Sequence, residues 1–235
     1  MIKDLARFYA PEATANSTLI LGEDEHRHAK VLRLAEDQEV HVVDGKGNLF
    51  LGQLQFKKKQ LSVQISELIQ SEEAISRPVI LAVAPTKNIN RFEWVIEKAS
   101  ELGIQRIIPI KCAQSERLHL KTERLSKIAL SAMKQSKSLW LTEIDDLTQV
   151  NEIWDIEANS KWIAHCADGP KSSIQMLSKS DGSQIICIGP EGDFSTMEID
   201  TAIDAGFGAV SLGKLRLRTE TAAISACIAA NLFHP

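Results

Sequence analysis

From Val79 to the C-terminus, apolar runs of strand length alternate with segments of helical spacing, and this alternation constrains the fold more than any other feature. Val79–Ala84, Ile104–Ile110, Lys161–Cys166, Gln184–Gly189 and Ala209–Leu212 read as buried strands, because they are short, apolar-rich and without a regular polar face. Between them, Asn90–Leu102 carries Phe92, Val95, Ile96 and Ala99 at helical intervals and stops at Gly103. Thr122–Ser136, Thr196–Ala205 and Thr219–Leu232 read as further helices. Strand and helix in that order imply an α/β domain with a mostly parallel sheet, whose ligands bind beyond the carboxyl ends of the strands.

Before residue 75 the pattern differs. Short strands are expected at Leu5–Tyr9, Glu39–Val43, Leu49–Phe56 and Leu61–Leu68, interrupted by a helix at Asp24–Leu34. Asp44–Asn48 and Lys57–Gln60 read as hairpin turns, the first with an Asp-Gly pair suited to positive φ. The polar joint Ser71–Pro78 then separates a compact, mostly β domain at 1–73 from the α/β domain at 74–235.

Composition narrows the function classes. With 44% hydrophobic and 25% charged residues the chain supports a true core. No run of eighteen apolar residues and no apolar leader follows Met1, so the expectation is a cytoplasmic protein without a membrane partner. Cys112, Cys166, Cys187 and Cys227 are widely spaced within or beside apolar runs, and are expected to be buried, reduced thiols. His26, His28 and His41 lack a third ligand at a plausible spacing, so no metal site is expected. The net charge of −4 argues against a uniformly basic nucleic-acid binder. Positive charge nonetheless gathers in the first 140 residues, at Lys57–Lys59, at His26–His28 with Lys30 and Arg33, and at Lys134 with Lys137. Each cluster alone fits a solvated face; together they favour a polyanionic partner.

The chemistry concentrates near the C-terminus. Ile188–Ser195 and Leu212–Ala222 each run from an apolar strand through a glycine turn into a helix. Such a turn allows close backbone approach and leaves helix N–H groups directed outward. A third joint precedes them at Ala164–Pro170. No Gly-x-x-x-x-Gly-Lys-[Ser/Thr] loop is present, and no Gly-x-Gly-x-x-Gly near the first strand, which argues against a phosphate-cradling NTPase.

Gly189-Pro-Glu-Gly192, followed by Leu212-Gly213 and Leu217-Arg-Thr-Glu-Thr-Ala222, resembles the paired motifs of the SPOUT RNA methyltransferases. More specifically, the chain resembles the family that methylates nitrogen 3 of one uridine in small-subunit (16S) ribosomal RNA. Arg7-Phe8, Val31-Leu32-Arg33, Val43-Asp44-Gly45, Glu97-Lys98, Glu101-Leu102-Gly103 and Lys134-Gln135-Ser136 extend the likeness, in order, over nearly the whole chain.

The resemblance implies a PUA-like β-barrel for RNA at the N-terminus and a C-terminal domain tied in a trefoil knot. It also implies a homodimer, S-adenosylmethionine as cofactor, and ribosomal RNA or the assembled small subunit as substrate. Carried over residue by residue, it assigns the cofactor pocket to His165, Ile188, Gly189, Pro190, Glu191, Gly192, Leu212, Gly213, Leu215 and Leu217. Arg218 and Glu220 are the candidates for the chemistry: a cation to steer a phosphate or stabilise charge on uracil oxygens, and a carboxylate to accept a proton or orient Arg218, or else only to pair with the N–H groups at its helix N-terminus. Arg7, Arg33 and Lys137 are the expected RNA contacts, with Lys57–Lys59 in support. Tyr9 and Trp140 are candidates for base stacking, or else core. The chain departs from the family pattern at Asp193, where many members have a second glycine, and at Leu215, where arginine is common. Lys137 begins a segment that is often arginine-rich. Alternative readings are a SPOUT enzyme acting on another RNA and a non-catalytic RNA-binding assembly protein.

Overall fold

The structure, a computed structural model, describes residues 4–57 and 60–231. Two compact units are present, one formed by residues up to Ala74 with Lys134–Leu141, the other by Ile75–Met133 with the chain from Thr142 onward.

The first unit contains β1 (Arg7–Tyr9), β2 (Thr18–Leu21), α1 (Glu23–Val31), β3 (Glu39–Val43), β4 (Asn48–Lys57) and β5 (Gln60–Ser71). They form one sheet in the order β1-β3-β4-β5-β2, antiparallel except for the parallel β1–β3 pair. Two register shifts break the long β4–β5 pair; such bulges increase twist and curl a sheet around its own core. That core includes Phe8, Val42, Leu54, Val63 and Ile65, each at most 1% exposed. In the β3–β4 turn, Asp44 accepts from Lys46 N at 2.7 Å and Asn48 N at 3.0 Å. Gly47 stands at φ +99°, and a Cβ there would lie 2.6 Å from Trp140 Cζ2, so both backbone and space demand glycine. Leu139–Leu141 pack on the same turn, with Gly47 N donating to Leu139 O at 3.0 Å and Leu141 N to Gly45 O at 3.0 Å.

The second unit contains β6 (Val79–Val83), α2 (Ile89–Glu101), β7 (Arg106–Lys111), α3 (Thr122–Ser136, its last turn in the first unit), β8 (Glu143–Ile144), β9 (Thr148–Gln149), α4 (Val150–Ile153), β10 (Ser160–Ala164), β11 (Ser172–Ser173), a 3₁₀ turn (Ile174–Lys179), β12 (Gln184–Ile188), α5 (Thr196–Asp204), β13 (Gly208–Ser211) and α6 (Thr219–Asn231). Its sheet has the order β11-β13-β10-β12-β6-β7-β8, with β9 also on β7, and every pairing is parallel. The expected α/β fold with a mostly parallel sheet is therefore present.

Strand residues alternate between two cores. Val79, Leu81, Val83, Ile186 and Ile188 join the cluster under α2, α3 and α6. Ala82, Ala84, Ile185 and Cys187 join the one under α4 and α5. Burial of both faces explains why these strands read as continuous apolar runs. The sequence reading lacked β2, β8, β9, β11, α4 and the 3₁₀ turn; all are six residues or fewer, too short to show a period.

Candidate functional site

Three strands that are neighbours in the sheet end at the same level. Ala164, the last residue of β10, pairs with Ile188, the last of β12, and on its other side with Val210, next to the end of β13. The turns that follow them therefore leave the sheet side by side, although the sequence separates them widely. They enclose a cleft in two adjoining parts, of about 280 Å³ and 300 Å³, which share Ala164, Cys166, Arg216, Leu217 and Ala222. Together the parts fall within the usual size of a small-molecule site.

The first part is lined by His165, Leu212, Gly213, Leu215 and Leu217 of the predicted set. Leu215 is 82% exposed and forms an open apolar wall. Gly213 stands at φ +140°, a conformation essentially closed to residues with a Cβ. The Nδ1 atom of His165 is buried without a hydrogen-bond partner among the described residues. Burial first, and the Lys171 cation second, push the His165 pKa down, so its imidazole is neutral at physiological pH.

The second part is lined by Ile188, Gly189, Pro190, Glu191 and Arg218. Glu191 braces the turns: Oε1 accepts from Lys87 N at 3.0 Å, and its carbonyl accepts from Arg216 Nη2 at 3.5 Å. The buried Thr219, first residue of α6, donates its hydroxyl to Gly189 O at 3.1 Å and so ties the last turn to the one after β12. Arg218 precedes it, and its carbonyl accepts from Ala222 N at 2.8 Å, starting the α6 ladder. Its exposed guanidinium bonds to no side chain among the described residues.

Two predicted residues stand outside the cleft lining. Gly192 faces Gln114, whose Cβ would be 2.9 Å from a Cβ at 192, so this glycine permits the turn to pack against the loop after β7. Glu220 stands behind the turn, its side chain 14% exposed and 3.5 Å from Arg91 on α2. The carboxylate thus pairs with Arg91 instead of Arg218, and its Oε2 is buried without a partner among the described residues. Arg91, Lys171 and Cys166 escaped the sequence reading because no local motif marks them. One cysteine expectation is corrected: Cys112, Cys187 and Cys227 are buried, but Cys166 is exposed. The apolar run containing Cys166 leaves the sheet at Ala164, so its last two residues rim the cleft.

The expected RNA contacts belong to the first unit. Arg7 donates to Lys137 O at 2.5 Å and Ser138 O at 3.5 Å, which gives it a structural task within that unit. Lys137 forms an ion pair with Asp4 at 2.9 Å, both exposed. Arg33 is exposed at φ +54°, just past α1, and Lys137 has φ +63°, just past α3. Lys58 and Lys59 lie outside the described residues. Tyr9 and Trp140 rest against the turn glycines Gly45 and Gly47. Among the described residues, no three His, Cys, Asp or Glu side chains form a metal-binding group, and no helix is long and apolar enough to cross a membrane.

Comparison with known proteins finds RNA methyltransferases. The RNA methyltransferase domain matches residues 73–231, and the RNA methyltransferase PUA domain matches 21–66. A ribosomal RNA small subunit methyltransferase E from Rickettsia conorii is 32% identical, covering 90% of this chain and 88% of that protein. Among solved structures, one described as a probable rRNA-methyltransferase from Porphyromonas gingivalis is 33% identical over 95% of both chains, with a TM-score of 0.85. The Legionella pneumophila protein Lpg2936, in complex with bound cofactor SAM, is 26% identical over 98% of both chains, with a TM-score of 0.88.

Proposed function

The chain belongs to the ribosomal RNA small subunit methyltransferase E family, and we propose that it transfers the methyl group of S-adenosylmethionine to nitrogen 3 of one uridine in small-subunit ribosomal RNA. The observation that carries this reading is the convergence of the turns after β10, β12 and β13 on one cleft. The walls suit the cofactor. They combine glycine turns, which permit backbone contact, with the apolar Leu212, Leu215 and Leu217 and the unpartnered Nδ1 of His165. Bound there, the cofactor supplies an activated methyl group on a sulfonium, so the protein needs alignment and charge stabilisation more than a nucleophile.

Arg218 directs its cation at the uracil oxygens, where negative charge develops as the ring nitrogen loses its proton. Glu220 pairs with Arg91 behind the turn and so braces the entry of α6. Lys171, Lys214 and Arg216 add positive charge at the rim of the first part, suited to RNA phosphates. The knotted path of the C-terminal chain, the homodimer and a cytoplasmic location complete the proposal and rest on family resemblance.

Arg33 and Lys137 are the RNA-docking residues of the first unit. Each holds the left-handed position past a helix end that glycine usually takes, at a cost of about 1 kcal/mol. A phosphate contact explains a long cation there. Arg33→Gly removes strain and charge together, so thermal stability is maintained or rises, while RNA affinity falls and the slope of log affinity against log salt becomes shallower by roughly one. An unchanged slope would remove Arg33 from the interface.

Two measurements test the activity itself. Titration calorimetry should detect S-adenosylmethionine binding, and ribosomes from a deletion strain should lack 3-methyluridine in small-subunit RNA until the gene is restored. Absence of cofactor binding overturns the enzyme reading; persistence of the modified base overturns the target.

A further inference from the structure

Asp193 is one of five non-glycine residues with positive φ among the described residues, at +69°, and it lies in the turn after β12. Its own N–H donates to Pro190 O at 2.9 Å. Its carboxylate is divided between two backbone donors: Phe194 N–H donates to Oδ1 at 2.9 Å, and Cys166 N–H donates to Oδ2 at 2.7 Å. The second bond crosses from the turn after β12 to the turn after β10, between two segments that share the cleft. Glycine would adopt this backbone more easily, so the side chain must return something for the strain.

What it returns follows from peptide geometry. Among the described residues no peptide bond is cis, so the carbonyl of His165 points opposite to the N–H of Cys166. Holding that N–H toward the β12 turn directs the His165 carbonyl away from Asp193, on the side where β13 adjoins β10. There His165 lines the first part of the cleft.

We propose that Asp193 is a positioning residue: by clamping the Cys166 amide it fixes the peptide between His165 and Cys166, so that its carbonyl offers a preset acceptor to an amino group of the bound cofactor. The proposal rests on the cofactor reading above. A carboxylate does this better than an amide, because it accepts on both oxygens, whereas Asn has one acceptor and turns an NH₂ group toward an N–H donor.

The test compares wild type with Asp193→Gly and Asp193→Asn. Glycine suits φ +69°, so the unfolding midpoint of Asp193→Gly should match or exceed that of wild type. Its Kd for S-adenosylmethionine should nevertheless rise about tenfold, as loss of a charge-assisted hydrogen bond implies, with kcat at saturating cofactor within about twofold. S-adenosylhomocysteine should weaken by the same factor, and Asp193→Asn should recover part of the loss. Amide exchange at Cys166, followed by NMR without cofactor, should accelerate in Asp193→Gly. Wild-type affinity in Asp193→Gly, or unchanged exchange at Cys166, overturns the clamp. A wild-type protein that binds no cofactor overturns the cofactor reading instead, and Cys166 exchange still decides whether the clamp exists.

Discussion

Replacing Arg218 by alanine should lower kcat by roughly 100- to 1,000-fold, or about 2.7–4 kcal/mol of transition-state stabilisation, while leaving the fold intact. Arg218 lines the cleft, and its guanidinium bonds to no side chain among the described residues. Only its backbone carbonyl serves the fold, as acceptor for Ala222 N, and alanine keeps that carbonyl. Cofactor affinity should change by no more than about twofold, since the charge is needed only as the uracil ring becomes anionic. Arg218→Lys should recover a part: it restores the cation but not the planar fork that addresses two oxygens at once. Single-turnover transfer of a labelled methyl group to small-subunit RNA is the measurement. A kcat within threefold of wild type, or an equal loss in cofactor affinity, would end the assignment.

The largest stability effect is expected at Phe92. It is fully buried on α2, in the cluster that also contains Leu81, Ile96, Ala223 and Cys227. Phe92→Ala should cost about 3–5 kcal/mol, from lost transfer energy and the cavity left behind. For a unit of this size that corresponds to a fall in Tm of roughly 6–20 °C. Phe92→Leu, which refills most of the volume, should cost less than half as much. Because α2 packs against α6, the alanine variant should also lose activity at temperatures where it is still folded. Urea denaturation and residual activity measured on the same samples check both parts. A loss of under 1 kcal/mol would mean the site collapses around the missing ring.

Phe92 also illustrates what the sequence makes legible. Its spacing with Val95, Ile96 and Ala99 marks one face of a helix, and all four are fully buried. Long periodic elements of this kind were readable because burial writes a period into the chain. The glycine turns were readable because close backbone approach excludes side chains. Glu220 was harder. A carboxylate at the start of a helix suggests capping or catalysis, but its partner Arg91 lies on another helix, and only the folded packing of α2 beside α6 brings the two together. Cys166 shows the same limit in reverse, because an apolar neighbourhood in sequence does not reveal where a strand ends. The return of Lys134–Leu141 to the first unit leaves no periodic trace at all.

β12 is an inner strand of the parallel sheet. It lies between β6 and β10, with Val79 paired to Gln184 and Ser160 to Gln184 on the other side. During synthesis, both flanking strands emerge before the strand that joins them. Until β12 arrives, β10 has neither of its sheet neighbours, since β13 follows later still, and β6 keeps one apolar edge open; such edges invite intermolecular pairing. Such late, long-range closure predicts slow folding and dependence on chaperones, and it places the window of greatest aggregation risk between the release of Ala164 and that of Ile188 from the ribosome.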